Sequence, residues 1–186
     1  MIFQVQTYHR FQELSMSKRD LKKYLTELSK EQIQEQILEL YAKFPDVKTY
    51  YDFVFNPNEE KLQREAKIKI SNEYFPTKSK RAKMRRSTSQ KIIKHFISLG
   101  VDAFVIADIM LYNIEIAQVF SENNRNTNDA FYKSFLNSFN QGVTFMIEKG
   151  ILDDFKIRLH KIVDRTIKQK WPNHYEFNAV LERLDY

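Results

Sequence analysis

The sequence predicts an all-α fold of about eight helices, and three observations support this prediction. First, residues 102–120 contain few polar side chains, so at helical pitch most of the circumference is apolar and belongs inside a protein. Second, the 186-residue chain has only three Gly and four Pro residues, which disfavours a fold of strands and turns. Third, helix-capping residues precede several segments in which apolar residues recur at helical spacing.

The first two predicted helices span residues 17–28 and 29–43. Each opens with a serine, Ser17 or Ser29, whose side-chain oxygen can accept from the unpaired N–H groups of a helix N-terminus. Pro45 breaks the second helix. Because almost nothing joins the two helices, they are expected to form a tight antiparallel hairpin.

The next predicted elements are rich in aromatic residues and then in charges. Residues 47–55 form a short aromatic helix or a helical turn. Asn56 and Pro57 are expected to start a helix that runs to about residue 74, since proline at the first helical position loses no hydrogen bond. Pro76 closes this helix.

A polar, basic loop is predicted for residues 77–89, which contain no aromatic or branched aliphatic side chain. Ser87 is expected to cap the following helix. Gly100 is expected to end that helix in the left-handed conformation. The apolar helix over residues 102–120 follows at once.

Three further helices are predicted, over residues 129–149, 153–170 and 174–184. Gly150 repeats the stop signal of Gly100, fifty residues later. The repeat is consistent with a duplicated helical hairpin or with a coincidence of helix ends. Antiparallel hairpins arranged as a compact bundle or as a short helical-repeat stack therefore both remain open.

Three blocks of sequence resemble a family of small bacterial proteins that is classed only as a domain of unknown function. They are SKRDLKKYL at residues 17–25, YYDFVFNP at 50–57 and MLYNIEIA at 110–117. The likeness runs over about residues 17–177. It implies no activity, no cofactor and no site residues.

A single helical domain is expected over residues 17–186, preceded by an arm or a mis-assigned start at residues 1–16. No signal-peptide pattern is found at the N-terminus, and the absence of Cys suits a reducing compartment. Asp108 and Glu115 disfavour a membrane span at residues 102–120, because each charge is costly in lipid. A cytoplasmic bacterial protein is the expectation.

The basic residues cluster in one segment. The chain has 30 Lys and Arg against 24 Asp and Glu, a net charge of +6, and eight of the cations but no acid lie between residues 77 and 95. Without this segment the net charge is −2. Such a cluster is typical of a protein that binds nucleic acid or another polyanion. The predicted binding residues are Lys78, Lys80, Arg81, Lys83, Arg85, Arg86, Lys91 and Lys94.

Other interpretations of the sequence remain open. The basic segment is also consistent with a solvated loop, or with a loop paired to acidic surfaces of this chain or of an acidic protein. The alternative function is a protein-interaction scaffold, with an aromatic groove between helical hairpins lined by Tyr50, Tyr51 and Tyr112. A non-enzymatic role is favoured, since no catalytic signature, cofactor motif or metal-ligand spacing is found.

Asp108 and Glu115 lie seven residues apart and therefore on one face of the predicted apolar helix. Two carboxylates on such a helix need partners, because an unpaired buried charge is unfavourable. The cations nearest in sequence are Arg85, Arg86, Lys91 and His95. We therefore expect structural ion pairs between these two acids and the basic segment, which would hold the segment against the core.

Overall fold

The computed structural model describes residues 17–78, 81–124 and 128–183. The described residues contain nine α-helices and no strand, which confirms the all-α prediction. The helices are α1 (Lys18–Thr26), α2 (Lys30–Lys43), α3 (Pro45–Phe55), α4 (Glu59–Tyr74), α5 (Arg86–Leu99), α6 (Ala103–Asn123), α7 (Asp129–Lys149), α8 (Leu152–Lys168) and α9 (His174–Glu182). The predicted arm over residues 1–16 lies outside the described residues.

The chain divides into two compact units, with the boundary between Tyr51 and Asp52 inside α3. The described part of the first unit holds α1, α2 and the start of α3, and none of its residues is fully buried. The second unit holds α4 to α9 and the hydrophobic core. The single domain expected for residues 17–186 stays a prediction.

The helix starts follow the predicted capping chemistry in the first unit. The Ser17 side chain accepts from the Asp20 N–H, the Ser29 side chain accepts from the Gln32 N–H, and both sites are complete capping boxes. Two later predictions were wrong by one to two residues. Asn58 caps α4 through a 3.0 Å bond from the Lys61 N–H. No side chain caps α5, which begins at Arg86.

The apolar helix of the sequence is α6, and it lies at the centre of the second unit. It contacts α4, α5, α7 and α8, and ten of its residues are buried. Gln118 on this helix is 1% exposed, and its amide donates to the Ile162 carbonyl of α8 at 2.8 Å. Among the described residues, α6 also has the length and composition of a membrane span, yet half of that stretch is buried within the protein.

Rings from α7, α9 and the segment between α8 and α9 form an aromatic cluster around Trp171. Trp171, 2% exposed, lies 5.8 Å from Phe177 of α9 and 5.9 Å from Phe131 of α7, between ring centroids. Its indole N–H donates to the Gln169 side chain at 2.8 Å. The aromatic richness of the sequence therefore serves the packing of α7, α8 and α9.

Both glycines that are predicted to end a helix do so. Gly100 has a φ of 73° and Gly150 a φ of 69°, which is the left-handed region. The Val101 N–H then reaches back to the Phe96 carbonyl at 3.1 Å, and the Ile151 N–H to that of Met146 at 3.0 Å. These bonds satisfy carbonyl groups at the helix ends.

The three glycines lie in different environments and should respond differently to alanine. A Cβ at Gly142, inside α7, would meet its nearest neighbour at 3.6 Å, which is ordinary contact, so Gly142→Ala should raise the free energy of unfolding by about 0.5–1 kcal/mol. Gly150→Ala should lower it by about 1–2 kcal/mol, because an L-residue is disfavoured at a positive φ. Urea unfolding measures both. Equal effects of the two changes would contradict this assignment.

Candidate nucleic-acid interface

The basic segment joins α4 to α5 in the second unit. Lys78, Arg81, Lys83 and Arg85 are exposed in the connection. Arg86, Lys91 and Lys94 lie on α5, with Arg86 half-buried and the two lysines exposed. Lys80 lies outside the described residues. The loop predicted for residues 77–89 is therefore shorter than expected, because α5 begins at Arg86.

Glu73 bonds to several groups of this connection. Glu73, in the last turn of α4, is 7% exposed. Its carboxylate accepts from the Arg85 side chain at 2.8 and 3.0 Å, from the Arg85 N–H at 3.3 Å, and from the Thr88 hydroxyl at 2.9 Å. Its backbone carbonyl accepts from the N–H groups of Lys83 and Met84, both at 2.9 Å. We call this arrangement the Glu73 anchor.

The anchor requires an unusual backbone conformation next to it. Met84 has a φ of 50°, in the left-handed region, which is uncommon for a residue with a side chain. The two bonds from the N–H groups of Lys83 and Met84 to the Glu73 carbonyl compensate for this unfavourable conformation. The segment is therefore attached through both its backbone and the Arg85 side chain.

The predicted partners of Asp108 and Glu115 were wrong. Asp108 pairs with Lys67 of α4 at 2.7 Å and with Arg158 of α8 at 2.7 Å. Glu115 pairs with the same Arg158, whose Nε and Nη2 donate to the two carboxylate oxygens at 2.6 and 2.7 Å. Both acids therefore form ion pairs that join α6 to its neighbouring helices, and neither pairs with the basic segment. The acid that holds the segment is Glu73.

Sequence reasoning missed Glu73 and Arg158, although a helical signal for both was present. Glu73 lies seven residues after Ala66 and three after Ile70, both of which are buried. Arg158 lies three residues after Phe155 and four before Ile162, again both buried. A charged residue at such spacing falls on or beside the buried face of its helix and needs a partner.

The ion pairs shift the pKa values of Glu73 and Asp108 downward. The hydrogen bonds from Arg85 lower the pKa of Glu73 and outweigh its burial. Burial alone would raise the pKa of Asp108, but the combined bonds and charges of Lys67 and Arg158 bring it below the ordinary value. Burial raises the pKa of Tyr74, and the adjacent charge of Glu73 adds to this. Both carboxylates are thus held in the charged form.

The remaining cations of the segment are differently placed from Arg85. Lys78, Lys83, Arg86, Lys91 and Lys94 make no ion pair with any described residue. Arg86 donates to the side chain of Gln90, at 2.7 Å in the amide orientation that satisfies both groups. Lys83 and Arg86 also line a depression of about 290 Å³, beside residues from the start of α7.

The residues of the predicted aromatic groove belong to different units. Tyr50 and Tyr51 lie in the first unit, where their rings meet edge to face with centroids 5.5 Å apart. Tyr112 lies on α6 in the second unit, with the Lys67 ammonium 5.4 Å from its ring centroid. A groove that includes all three stays a prediction. No group of three or more metal-binding side chains occurs in the described ranges.

Comparison with known proteins gives a family without an assigned activity. The sequence matches the model of the family of unknown function DUF6155 over residues 16–185. The chain belongs to that family. The match confirms the resemblance to an uncharacterised family. No curated protein and no solved structure matches the chain significantly. Residue roles in this DUF6155 member therefore have to be argued from its own geometry.

Glu73→Gln should loosen the basic segment. The change removes the charge that Arg85 pairs with, so trypsin should cut faster after Lys83, Arg85 and Arg86. Limited digestion followed by mass spectrometry measures the rate at these bonds. Glu115→Gln is the matched control, since Glu115 pairs with Arg158 on α8. Faster cleavage in the control, or unchanged cleavage in Glu73→Gln, would contradict the anchor.

The same anchor should make stability depend on pH in the acid range. The pKa of Glu73 is lower in the folded than in the unfolded protein. Its contribution to the free energy of unfolding is therefore complete at pH values above the unfolded-state pKa of about 4.3. That contribution is lost as the pH falls through the folded value. Asp108 acts in the same direction.

Urea unfolding between about pH 7 and pH 3 tests this dependence. Glu73→Gln should be less stable than the wild type at pH 7 by about 1–3 kcal/mol, and should lose less stability on acidification. Glu60→Gln, a change at an exposed position of α4, should leave the wild-type slope intact. Parallel pH curves for wild type and Glu73→Gln would rule out this contribution of Glu73.

Proposed function

We propose that the chain is a nucleic-acid-binding protein, which contacts phosphates through five cations of the basic segment that have no acidic partner among the described residues. The proposal rests on a difference between the cations of this segment in whether they pair with an acid. Arg85 is used internally by Glu73, whereas Lys78, Lys83, Arg86, Lys91 and Lys94 have no acidic partner among the described residues. Positive charge without a partner attracts phosphate, and binding releases the counterions of the polymer.

The attachment of the segment supports the proposal. Hydrogen bonds from Lys83, Met84 and Arg85 to Glu73 hold the backbone that carries the cations. Lys91 and Lys94 are carried by the α5 helix. Side chains on an ordered backbone lose less entropy on binding than those on a free loop. The geometry therefore favours a formed contact surface over a solvated tail.

The predicted set of binding residues, which includes Arg85, is revised in this proposal. Arg85 is assigned a structural role, since its guanidinium satisfies the buried Glu73 carboxylate in a two-point contact. Arg86 and Lys83 become the central pair, because both line the same depression. Loss of Arg85 would disturb the segment itself, so Arg85→Ala cannot test binding cleanly.

Fluorescence anisotropy with labelled single-stranded and duplex oligonucleotides tests the proposal. At about 50 mM salt the full chain should bind, and log K should fall linearly with log salt, with a slope of about −2 or steeper if three phosphates are neutralised. Lys83→Ala with Arg86→Ala should weaken binding about tenfold or more and make the slope shallower. The charge-matched control is Lys161→Ala with Lys168→Ala, two exposed positions on α8.

The results separate three situations. Absence of binding at low salt would overturn the proposal. An equal loss in both double variants would show a general charge effect that does not depend on this segment. Displacement of the oligonucleotide by polyglutamate at equal charge concentration would favour an acidic protein as the partner.

A further inference from the structure

A cavity of about 520 Å³ lies between α5 and α7, with α6 as its floor. It is separate from the Glu73 anchor. Ile93, Met110 and Phe145 form apolar walls. Polar residues also line the cavity, namely Ser89, Gln90, Asn113, Ser138, Asn140, Gln141 and Thr144, with Lys94 and Glu148 at exposed positions.

Asn113 is the residue on which the inference rests. It is 2% exposed and lines the cavity, and its amide makes no hydrogen bond with any described residue. The amide is not one of the fully enclosed polar groups of the described residues, so it borders the cavity and can be reached by a ligand there. The residue is surrounded along α6 by buried Met110, Ile114 and Ala117, where an apolar side chain would favour folding.

The second buried amide of the same helix shows the contrast. Gln118 is equally buried, but its amide donates to the Ile162 carbonyl at 2.8 Å. The packing of α6 thus satisfies one amide and leaves the other directed into a cavity. Ser89 adds a further polar group there. It is 2% exposed, and its hydroxyl donates to the Arg86 carbonyl at 2.8 Å, which leaves the oxygen able to accept.

We propose that this cavity binds a nucleobase or a similar planar heterocycle, whose edge pairs with the Asn113 amide. An amide presents one donor group beside one acceptor, and the matching edge of a heterocycle presents the reverse, as in the pairing of asparagine with adenine. The ring would pack against the apolar walls. A saturated lipid would leave the Asn113 amide without a partner, which disfavours that class of ligand.

The polar residues at the mouth suit the substituents of such a ring. Thr144 and Glu148 on α7 can bond to the hydroxyl groups of an attached ribose. An uncharged nucleoside has no phosphate, so its binding does not depend on the basic segment. The two proposals can therefore fail separately.

Calorimetric titration of the full chain with adenosine, guanosine, cytidine and uridine tests the inference. At least one of these nucleosides should bind and raise the thermal unfolding midpoint. Asn113→Leu should weaken that binding about tenfold or more, the loss expected for a two-point contact.

A second variant keeps the test decisive if Asn113→Leu does not fold. Thr144 is exposed on α7 and lines the cavity, so Thr144→Trp should block the mouth and abolish binding. Lys133→Trp, an exposed position on the same helix outside the cavity, should bind as the wild type does. The inference is overturned if no nucleoside binds at about 5 mM, or if both cavity variants bind normally.

Discussion

The second unit depends on the burial of α6 among four other helices. Burial of so much apolar surface provides the main driving force for folding, but α6 also carries Asp108 and Glu115 into partly buried positions. Arg158 of α8 satisfies both acids with four hydrogen bonds, three of them to carboxylate oxygens and a longer one to a backbone carbonyl. Lys67 of α4 supplies the second charge for Asp108. Asp108 and Glu115 are unusual in a core helix, and their ion pairs connect α6 to α4 and α8.

The Glu73 anchor applies the same principle at the edge of this core. A carboxylate that is almost fully buried needs compensation, and Arg85 and Thr88 provide it. As a consequence, Arg85 is paired within the protein, whereas other cations of the basic segment have no acidic partner among the described residues. A basic cluster counted from sequence alone treats all its members as equivalent. The structure separates the cation that holds the segment from those, such as Lys83 and Arg86, that remain open to a ligand.

The cavity beside α5 illustrates a different relation between stability and function. Asn113 and Gln118 are both amides on α6 and both are buried, yet only Gln118 has a protein partner. A polar side chain that borders a cavity in an otherwise apolar part of a helix is the kind of local inconsistency expected at a functional site. Two features of the second unit therefore point to ligands: unpaired positive charge on the segment, and an unpaired amide in the cavity. One suits phosphates and the other a heterocyclic ring.

The sequence by itself determined the all-α class, the apolar helix and the helix ends marked by Ser17, Ser29, Gly100 and Gly150. These features depend on residues within about four positions of each other, so local chemistry decides them. The sequence also identified the basic segment, because the number of charged residues in a segment does not depend on the fold. Only the tertiary structure decided which acid holds that segment and which residues enclose a cavity. Such contacts join helices that are distant along the chain. An acid on the apolar face of a helix indicates that a partner is needed. The packing of the helices determines which cation lies close enough to pair with it.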